Sequence, residues 1–473
     1  MHGGRGAKTS PRPACIKHSV CRIMVWNRFH TLWRPSVSND MRPRVGLAVI
    51  RHPFEEGADA AERIAGEAAK ALEFAEVVAS PVICESDSTA RAAGRAFREA
   101  DVDAIVAVLA TWSSDAVATR ILDYAPVPMV IWALPAVNTG SICGAHQLCC
   151  VLTELGLPYR FVHGELTERR CISEAGAYLM AAMARKRLRT VNLGQVGSRV
   201  EGMTEVSFDE FSMRKVFGPA VEHLSIDEFL KMRDSQDPAA AADVWARVKR
   251  RAGKVSVPDT DGLRSAHTYL ALKEWARESD LAGLALECYP NLMGEACLAY
   301  SLLADEGIVA ACEGDMNSAL ATLVLYWLSG EPVHNTDLLA HRESDNTILL
   351  SHCGSGSFEI ADERGSIHLA PVRLAHKGLC VLFPARPGPV TLLNLVGREG
   401  TYRMTAFAGE AVKTGMDFAG NPLRVVCPVD VTYLTYRVAE IGAGHHWMVC
   451  YGDVMAELEH LAELTGVPFA AIG

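Results

Sequence analysis

The sequence predicts an α/β protein: two doubly wound parallel-sheet domains followed by a mainly antiparallel, barrel-like β domain. Three observations carry that expectation. From Met41 onward, short β-branched runs alternate with helical stretches, the pattern of parallel sheets covered by helices. Beyond Gly330, short strands follow one another with turn residues between them, and few helices intervene. A chain of 473 residues, 49% hydrophobic and 22% charged, is long enough for two or three cores of ordinary size.

Taken in order, the first domain spans residues 41–188. Its strands are read at Val45–Ile50, Ala104–Leu109, Val127–Trp132 and Tyr159–Val162, with a helical stretch over Gly57–Ala75 and a long closing helix, Ser173–Leu188. The second domain, 189–329, repeats the theme with strands at Thr190–Gly194, Val221–Leu224, Leu281–Glu287 and Ile308–Glu313, and a helix over Arg264–Ser279. It ends with the most apolar helix of the chain, Ser318–Ser329, which reads as buried and stops at Gly330. The third domain, 330–473, carries short strands at Ile348–Ser351, Ser357–Ile360, Leu379–Phe383, Val390–Leu395, Tyr402–Phe407 and Trp447–Tyr451, then a helix over Asp453–Leu464.

Residues 1–40 stand apart. Between Met1 and Asp40 there are seven Lys or Arg and one acid, with no apolar period, before Met41 opens onto a strand. An Arg-rich, acid-poor start suits a transit peptide, but Trp26, Phe29, Trp33 and the prolines form no amphipathic face. The preferred reading is a disordered upstream extension, with Met41 as the functional beginning.

Composition narrows the function classes. No run reaches the roughly 18 apolar residues that a membrane span needs. The fourteen cysteines are scattered without a C-x-x-C pair, so free thiols in a reducing cytoplasm are expected. A formal charge of −10 argues against general nucleic-acid binding. A small-molecule substrate remains.

The chemistry is expected just beyond the carboxyl ends of the parallel strands. Two acids stand there, Glu287 and Glu313. Such an acid is ordinarily a helix cap or a solvated charge, and Asp315 fills the capping role ahead of the apolar helix. Glu313 follows an apolar run directly, and a carboxylate buried there must be paired or bind a cation. Asp337 supplies a second carboxylate shortly after Gly330, and His445 and His446 precede an apolar strand. Together these are candidates for a mixed oxygen and nitrogen metal site. Gly194-Gln-Val-Gly197 lacks the spacing of a dinucleotide cradle. His352-Cys353-Gly354-Ser355-Gly356 places its His and Cys side by side, which does not suit a Cys–His nucleophile and points to a pocket-shaping role. Met293 and Met316 read as core fillers.

Three segments carry a family resemblance. Cys312-Glu-Gly-Asp-Met-Asn-Ser-Ala-Leu-Ala-Thr-Leu resembles the glutamate-ligand motif shared by the L-fucose isomerase and L-arabinose isomerase families. Leu328-Ser-Gly-Glu-Pro-Val-His-Asn-Thr-Asp337 resembles the L-fucose isomerase order of helix, Gly turn and ligand aspartate, and Gly442-Ala-Gly-His-His-Trp-Met-Val-Cys-Tyr-Gly resembles the segment that gives the histidine ligand. Ala110-Thr-Trp-Ser-Ser-Asp, Pro128-Met-Val-Ile-Trp132, Ser141-Ile-Cys-Gly through Gly164, Gly194-Gln-Val-Gly and Phe211 to Gly218 extend the likeness over residues 41 to the C-terminus.

The resemblance implies that Glu313 and Asp337 are ligands that also act as acid and base. His446 is the matching histidine ligand by its distance to Tyr451-Gly452, with His445 as the alternative. His352 stands where arabinose isomerases have a further histidine ligand, and Trp112 resembles an aromatic residue that a neighbouring subunit packs against the sugar. The implied activity is aldose–ketose interconversion of a free sugar such as L-fucose, L-arabinose, D-arabinose or a related pentose or deoxyhexose. It would proceed through a cis-enediol with Mn²⁺, or alternatively Mg²⁺ or Co²⁺, stabilising the oxygen charge. A hydride shift is the other route. The implied assembly is a homo-oligomer, a hexamer or trimer, with sites between subunits. Two rival expectations stand beside it: a non-catalytic sugar-binding or regulatory protein on the same fold, and a metal-dependent epimerase or aldolase using the same enediolate.

Overall fold

Apolar strands and capped helices alternate through the first half of the computed structural model, which describes residues 41–473. The extension expected over residues 1–40 lies outside them. The first sheet is built from β1 (Arg44–Ile50), β2 (Glu76–Ala79), β3 (Ala104–Leu109), β4 (Met129–Ala133) and β5 (Tyr159–His163), in the order β2-β1-β3-β4-β5 and parallel throughout. β3 is buried at all six positions, as a central strand covered on both faces must be. The crossovers are α1 (Ala61–Ala71), α2 (Asp87–Glu99), α3 (Asp115–Tyr124) and α4 (Ser141–Glu154), and α5 (Arg169–Leu188) follows β5. Serine side chains set two of these starts: Ser86 closes a capping box with Thr89, and Ser114 accepts from the Ala116 N–H.

The second sheet is smaller. β6 (Asn192–Val196), α6 (Glu210–Val216), β7 (Ala220–Leu224), α7 (Ile226–Asp234) and α8 (Pro238–Arg251) lead to β8 (Lys254–Val255). Then come α9 (Asp259–Glu278), β9 (Leu281–Leu286), α10 (Cys297–Asp305), β10 (Val309–Ala311) and α11 (Met316–Ser329). The parallel order is β10-β9-β6-β7. β10 is shorter than the run Ile308–Glu313 suggested: it ends at Ala311, so Glu313 lies in the turn beyond it. α11 is buried along nearly its whole length, packs on β9, β10, β15 and β18, and stops at Gly330, whose φ of +70° suits a residue without Cβ.

The remainder is antiparallel. β11 (His334–Arg342), β12 (Thr347–Ser351), β13 (His368–Ala370), β14 (Cys380–Leu382), β15 (Gly388–Arg398), β16 (Thr401–Val412) and β17 (Leu423–Val426) precede α12 (Val431–Ile441). β18 (His446–Tyr451), α13 (Met455–Thr465) and β19 (Phe469–Ala471) complete the chain. The order β15-β18-β11-β12-β17-β16 closes on itself because β15 also pairs with β16, and β19 joins β16 in parallel. This is the barrel-like sheet that the sequence predicted. The expected strand Ser357–Ile360 is a 3₁₀ turn, Phe358–Ile360, started by Ser357 accepting from the Glu359 N–H. One apolar core runs from Val45 and Val106 through Met183 and Leu323 to Met448 and Leu458, so α5, α11 and α13 bind the first sheet, the second sheet and the barrel into one packed body. β8, from the stretch between α8 and α9, pairs with β13 rather than with the second sheet. Twelve cysteines among the described residues are free thiols. No helix among those residues is long and apolar enough to cross a membrane.

Candidate metal centre

The turn from β10 into α11 is the first half of the site. Ala311 ends the strand, and Glu313 and Gly314 then adopt φ of +62° and +68°, two left-handed residues in succession that swing the chain into the helix. For Glu313 this conformation is strained, and strain of this kind collects at functional positions. The turn is tied to the end of β9: the Gly314 N–H donates to the Leu286 carbonyl (3.0 Å), and the Glu313 N–H points to Cys288 Sγ (3.4 Å). Gly314 admits no side chain, since a Cβ there would stand 2.1 Å from the Ser198 carbonyl oxygen. Asp315 then caps α11, its Oδ1 accepting from the N–H groups of Asn317 (3.0 Å) and Ser318 (3.1 Å).

The barrel supplies the second half through its register. On β11, Asp337 is directly opposite His446 of β18 on one side and Ser351 of β12 on the other. Paired residues in an antiparallel ladder point to the same face, and His352 follows Ser351 at the end of its strand. The β11–β12 register slips between Leu338 and Ala340, one residue past Asp337.

The two halves meet. His446 Nε2 lies 3.1 Å from Glu313 Oε2 and 3.9 Å from Asp337 Oδ1, and His352 Nε2 lies 3.9 Å from Asp337 Oδ2. Ligand atoms of Glu313, His352 and His446 all fall within 4.8 Å of one another, as do those of Asp337, His445 and His446. An ion bound at about 2.1 Å holds its donors about 3–4 Å apart, so the cluster needs little contraction. The donors also fit a cation. Asp337 Oδ1 and His352 Nδ1 are buried without a hydrogen-bond partner among the described residues, and a carboxylate oxygen left so calls for a positive charge.

Electrostatics points the same way. Burial alone would raise the Glu313 carboxyl, but the nearby His445 imidazole, the hydrogen bond from His446 and the neighbouring His352 imidazole hold it well below the ordinary carboxylate range. Burial works against a charged His446, yet Asp315 and Glu313 push it up to about 10, so an ion taking Nε2 displaces a proton. Burial lowers His352, which favours the neutral form that ligates.

Asp315 makes a second contact that sequence reasoning missed. Its Oδ2 accepts from His446 Nδ1 at 2.8 Å, the carboxylate–imidazole contact that fixes a ligating histidine's tautomer and ring plane. The sequence showed a cap, and nothing local marks the second contact. Glu205 was missed as well. It lies in the turn Thr204–Val206 and sits 2.5 Å from His445 Nδ1, while His445 Nε2 is 3.9 Å from Glu313 Oε2. Glu287 is elsewhere, accepting from the Ser198 N–H and hydroxyl at 2.7 and 2.9 Å. Trp112 is not in the cluster: it follows β3, donates from Nε1 to Gln147 (3.1 Å), and packs beside His52 with ring centroids 5.6 Å apart.

No protein-family model matches the chain. It is similar to a sulfoquinovose isomerase of Alkalicoccus urumqiensis, 25% identical over 382 residues, covering 78% of this chain and 86% of that protein. A sulfoquinovose isomerase of a Clostridium species is 25% identical over 371 residues, covering 75% and 83%. An L-arabinose isomerase of a Nocardioides species is 23% identical over 445 residues, covering 84% and 85%. Among solved structures, a periplasmic solute-binding protein of Actinobacillus succinogenes with bound D-allose is 12% identical, covers 62% of this chain and 84% of that one, and has a TM-score of 0.17, too low to bear on the fold. Likeness to L-fucose isomerases rests on the sequence motifs. The isomerase relatives support an enzyme of the sugar aldose–ketose isomerase class.

Proposed function

We propose that the chain is a metal-dependent isomerase of a free sugar, with Glu313, Asp337 and His446 holding a divalent ion and His352 available as a fourth ligand. The observation that carries this reading is the convergence of two carboxylates and two imidazoles on one spot, with Asp337 Oδ1 buried and unpartnered. Oxygen-rich ligation with imidazole suits Mn²⁺, with Mg²⁺ or Co²⁺ as substitutes. Bound there, the ion would supply Lewis-acid stabilisation of the negative charge that develops on the sugar oxygens. Glu313 and Asp337 are the two groups for proton transfer: one takes the proton from the carbon beside the carbonyl, the other moves a proton between the two oxygens, and the substrate passes through a cis-enediol.

The substrate class is a pentose, a 6-deoxyhexose such as L-fucose, or sulfoquinovose, the sugar named for four relatives. A homo-oligomer with sites between subunits completes the reading. It is supported by the apolar rim around Trp112, where Phe54 and Val137 are 91% and 92% exposed.

Chelator-stripped protein incubated with L-fucose, L-arabinose, D-arabinose and sulfoquinovose, with and without Mn²⁺, tests this by NMR of the products. A ketose that accumulates only with the ion is the expected result. Sugars that return unchanged, or only epimerised, from every ion-loaded reaction would end the proposal. Run in deuterated water, the same reaction places deuterium on carbon if the enediol route operates and none if hydride shifts.

A further inference from the structure

The two ladders that hold β18 differ in extent. Its pairing with β11 reaches its first residue, where His446 faces Asp337, but its pairing with β15 runs from Val390 and Tyr451 only as far as Leu393 and Met448. The backbone that carries His446 therefore has strand pairing on one side only. A side chain takes the other side. Asn394, the next residue of β15, is 4% exposed, and its amide meets the backbone groups that the ladder leaves. Nδ2 donates to the His446 carbonyl (2.7 Å) and the Gly444 carbonyl (3.2 Å), and Oδ1 accepts from the Gly444 N–H (3.0 Å).

This clamp acts on a different part of His446 than Asp315 does. Asp315 holds the ring through Nδ1, whereas Asn394 holds the main chain at residues 444 and 446. An amide suits the task because one planar group offers two donors and an acceptor, and a carboxylate or alkyl group of the same size has no such donors. Gly444 lets the clamp close, since a Cβ there would stand 3.2 Å from Asn394 Nδ2. A functional group has to be held within about 0.5 Å of its productive place, so slack in the His446 backbone would pass directly to Nε2.

We propose that Asn394 is a positioning residue for the metal site, fixing the His446 main chain so that Nε2 meets Glu313 and Asp337. This rests on the metal-dependent reading and adds to it a residue that works through a ligand's backbone.

Calorimetry of Mn²⁺ binding to the full chain tests this against a matched control. Asn346 makes the same kind of clamp at the far end of the β11–β12 hairpin, with Nδ2 on the Cys427 and Val429 carbonyls (3.0 and 2.9 Å) and Oδ1 on the Val431 N–H (2.8 Å). Asn394→Ala should weaken Mn²⁺ binding about 10–100-fold, the range for loss of an outer partner of a metal ligand, and speed hydrogen exchange over residues 443–447. Asn346→Gly, which keeps the left-handed backbone (φ +54°) relaxed, should lower the urea midpoint comparably. Being distant, it should leave Mn²⁺ affinity within about 2-fold. Gly444→Ala, a milder change that crowds the same clamp from the other side, should also weaken Mn²⁺ binding, and it keeps the test open if Asn394→Ala does not fold. Unchanged Mn²⁺ affinity in Asn394→Ala, or in Gly444→Ala where the first does not fold, would overturn the assignment, as would an equal loss in Asn346→Gly. A wild type that binds no Mn²⁺ defeats the metal reading and this proposal with it; a wild type that binds the ion beside an equally competent Asn394→Ala defeats the proposal alone.

Discussion

Asp337 and His446 are directly opposed across the β11–β18 ladder, with Oδ1 3.9 Å from Nε2, and that oxygen has no hydrogen-bond partner among the described residues. Two side chains on neighbouring strands thus face one spot that Glu313 approaches from the other side. Asp337→Asn and Glu313→Gln should each lower kcat by about 10²–10⁴, the range for loss of a general acid or base, and weaken Mn²⁺ binding measured by calorimetry. Full Mn²⁺ affinity in both variants would show that these carboxylates are not ligands.

The His446–Asp315 contact makes a separate prediction. Asp315→Ser keeps a helix-capping oxygen for α11 and removes the acceptor for His446 Nδ1. Metal affinity should fall about 10–100-fold, with a stability loss of about 1 kcal/mol or less in urea titration. A large stability loss with unchanged affinity would make Asp315 a cap and nothing more.

Gly314 and Gly466 share a left-handed backbone, φ +68° and +69°, but differ in surroundings. A Cβ at Gly314 meets the Ser198 carbonyl, and one at Gly466 meets nothing within 4 Å. Gly466→Ala should cost about 1 kcal/mol, the backbone penalty alone. Gly314→Ala should cost about 2 kcal/mol more and reduce metal binding as Glu313 moves. Equal melting shifts in the two variants would show that the loop yields freely.

His334 predicts the acid behaviour of the fold. Burial drives its pKa down to about 4, against the opposing pull of the Asn421 carbonyl that takes its Nε2 hydrogen at 2.9 Å. The unfolded chain takes up this proton near pH 6.5 and the folded chain only near 4. Stability contributed by neutral His334 is therefore full above pH 6.5 and declines as the pH falls toward 4, by about 3 kcal/mol in all. Urea midpoints at pH 7.5, 6 and 5 should fall more steeply for wild type than for His334→Gln, and parallel slopes would contradict the assignment.

Arg199 offers a test of whether the substrate is anionic. It lies on the loop whose backbone presses on Gly314, is half-buried, and donates Nη1 to the Val200 carbonyl (3.1 Å), with no carboxylate partner among the described residues. If the substrate is sulfoquinovose, Arg199→Gln should raise its KM about 10-fold, as expected for loss of a charge-assisted hydrogen bond of about 1.5 kcal/mol. KM for a neutral aldose should be unaffected. Equal effects on both sugars would exclude a role in reading the anion.

Much of this was legible before folding. The strand Ala104–Leu109 was read at its observed limits because six buried apolar residues leave no other choice, and Gly330 marked the end of α11. Asp337 was recognised as a second carboxylate, but the polar run His-Asn-Thr-Asp hid the strand beneath it, whose partners are remote in sequence. Ser-Phe-Glu-Ile at 357–360 alternates like a strand, yet the serine hydroxyl turns the backbone first. Glu205 carried no signal at all: its meaning comes from a contact across the fold, and a lone acid in a loop looks solvated.

The pairing of β8 with β13 has a further consequence. Lys254 and Val255 stand against His368 and Leu369, with the Ser256 N–H bonded to the Leu369 carbonyl at 2.8 Å. A strand from before residue 330 is thus woven into the region after it. Cutting the chain at 330 would orphan that strand and bare an edge of β13, so the regions before and after residue 330 are not detachable modules of this chain.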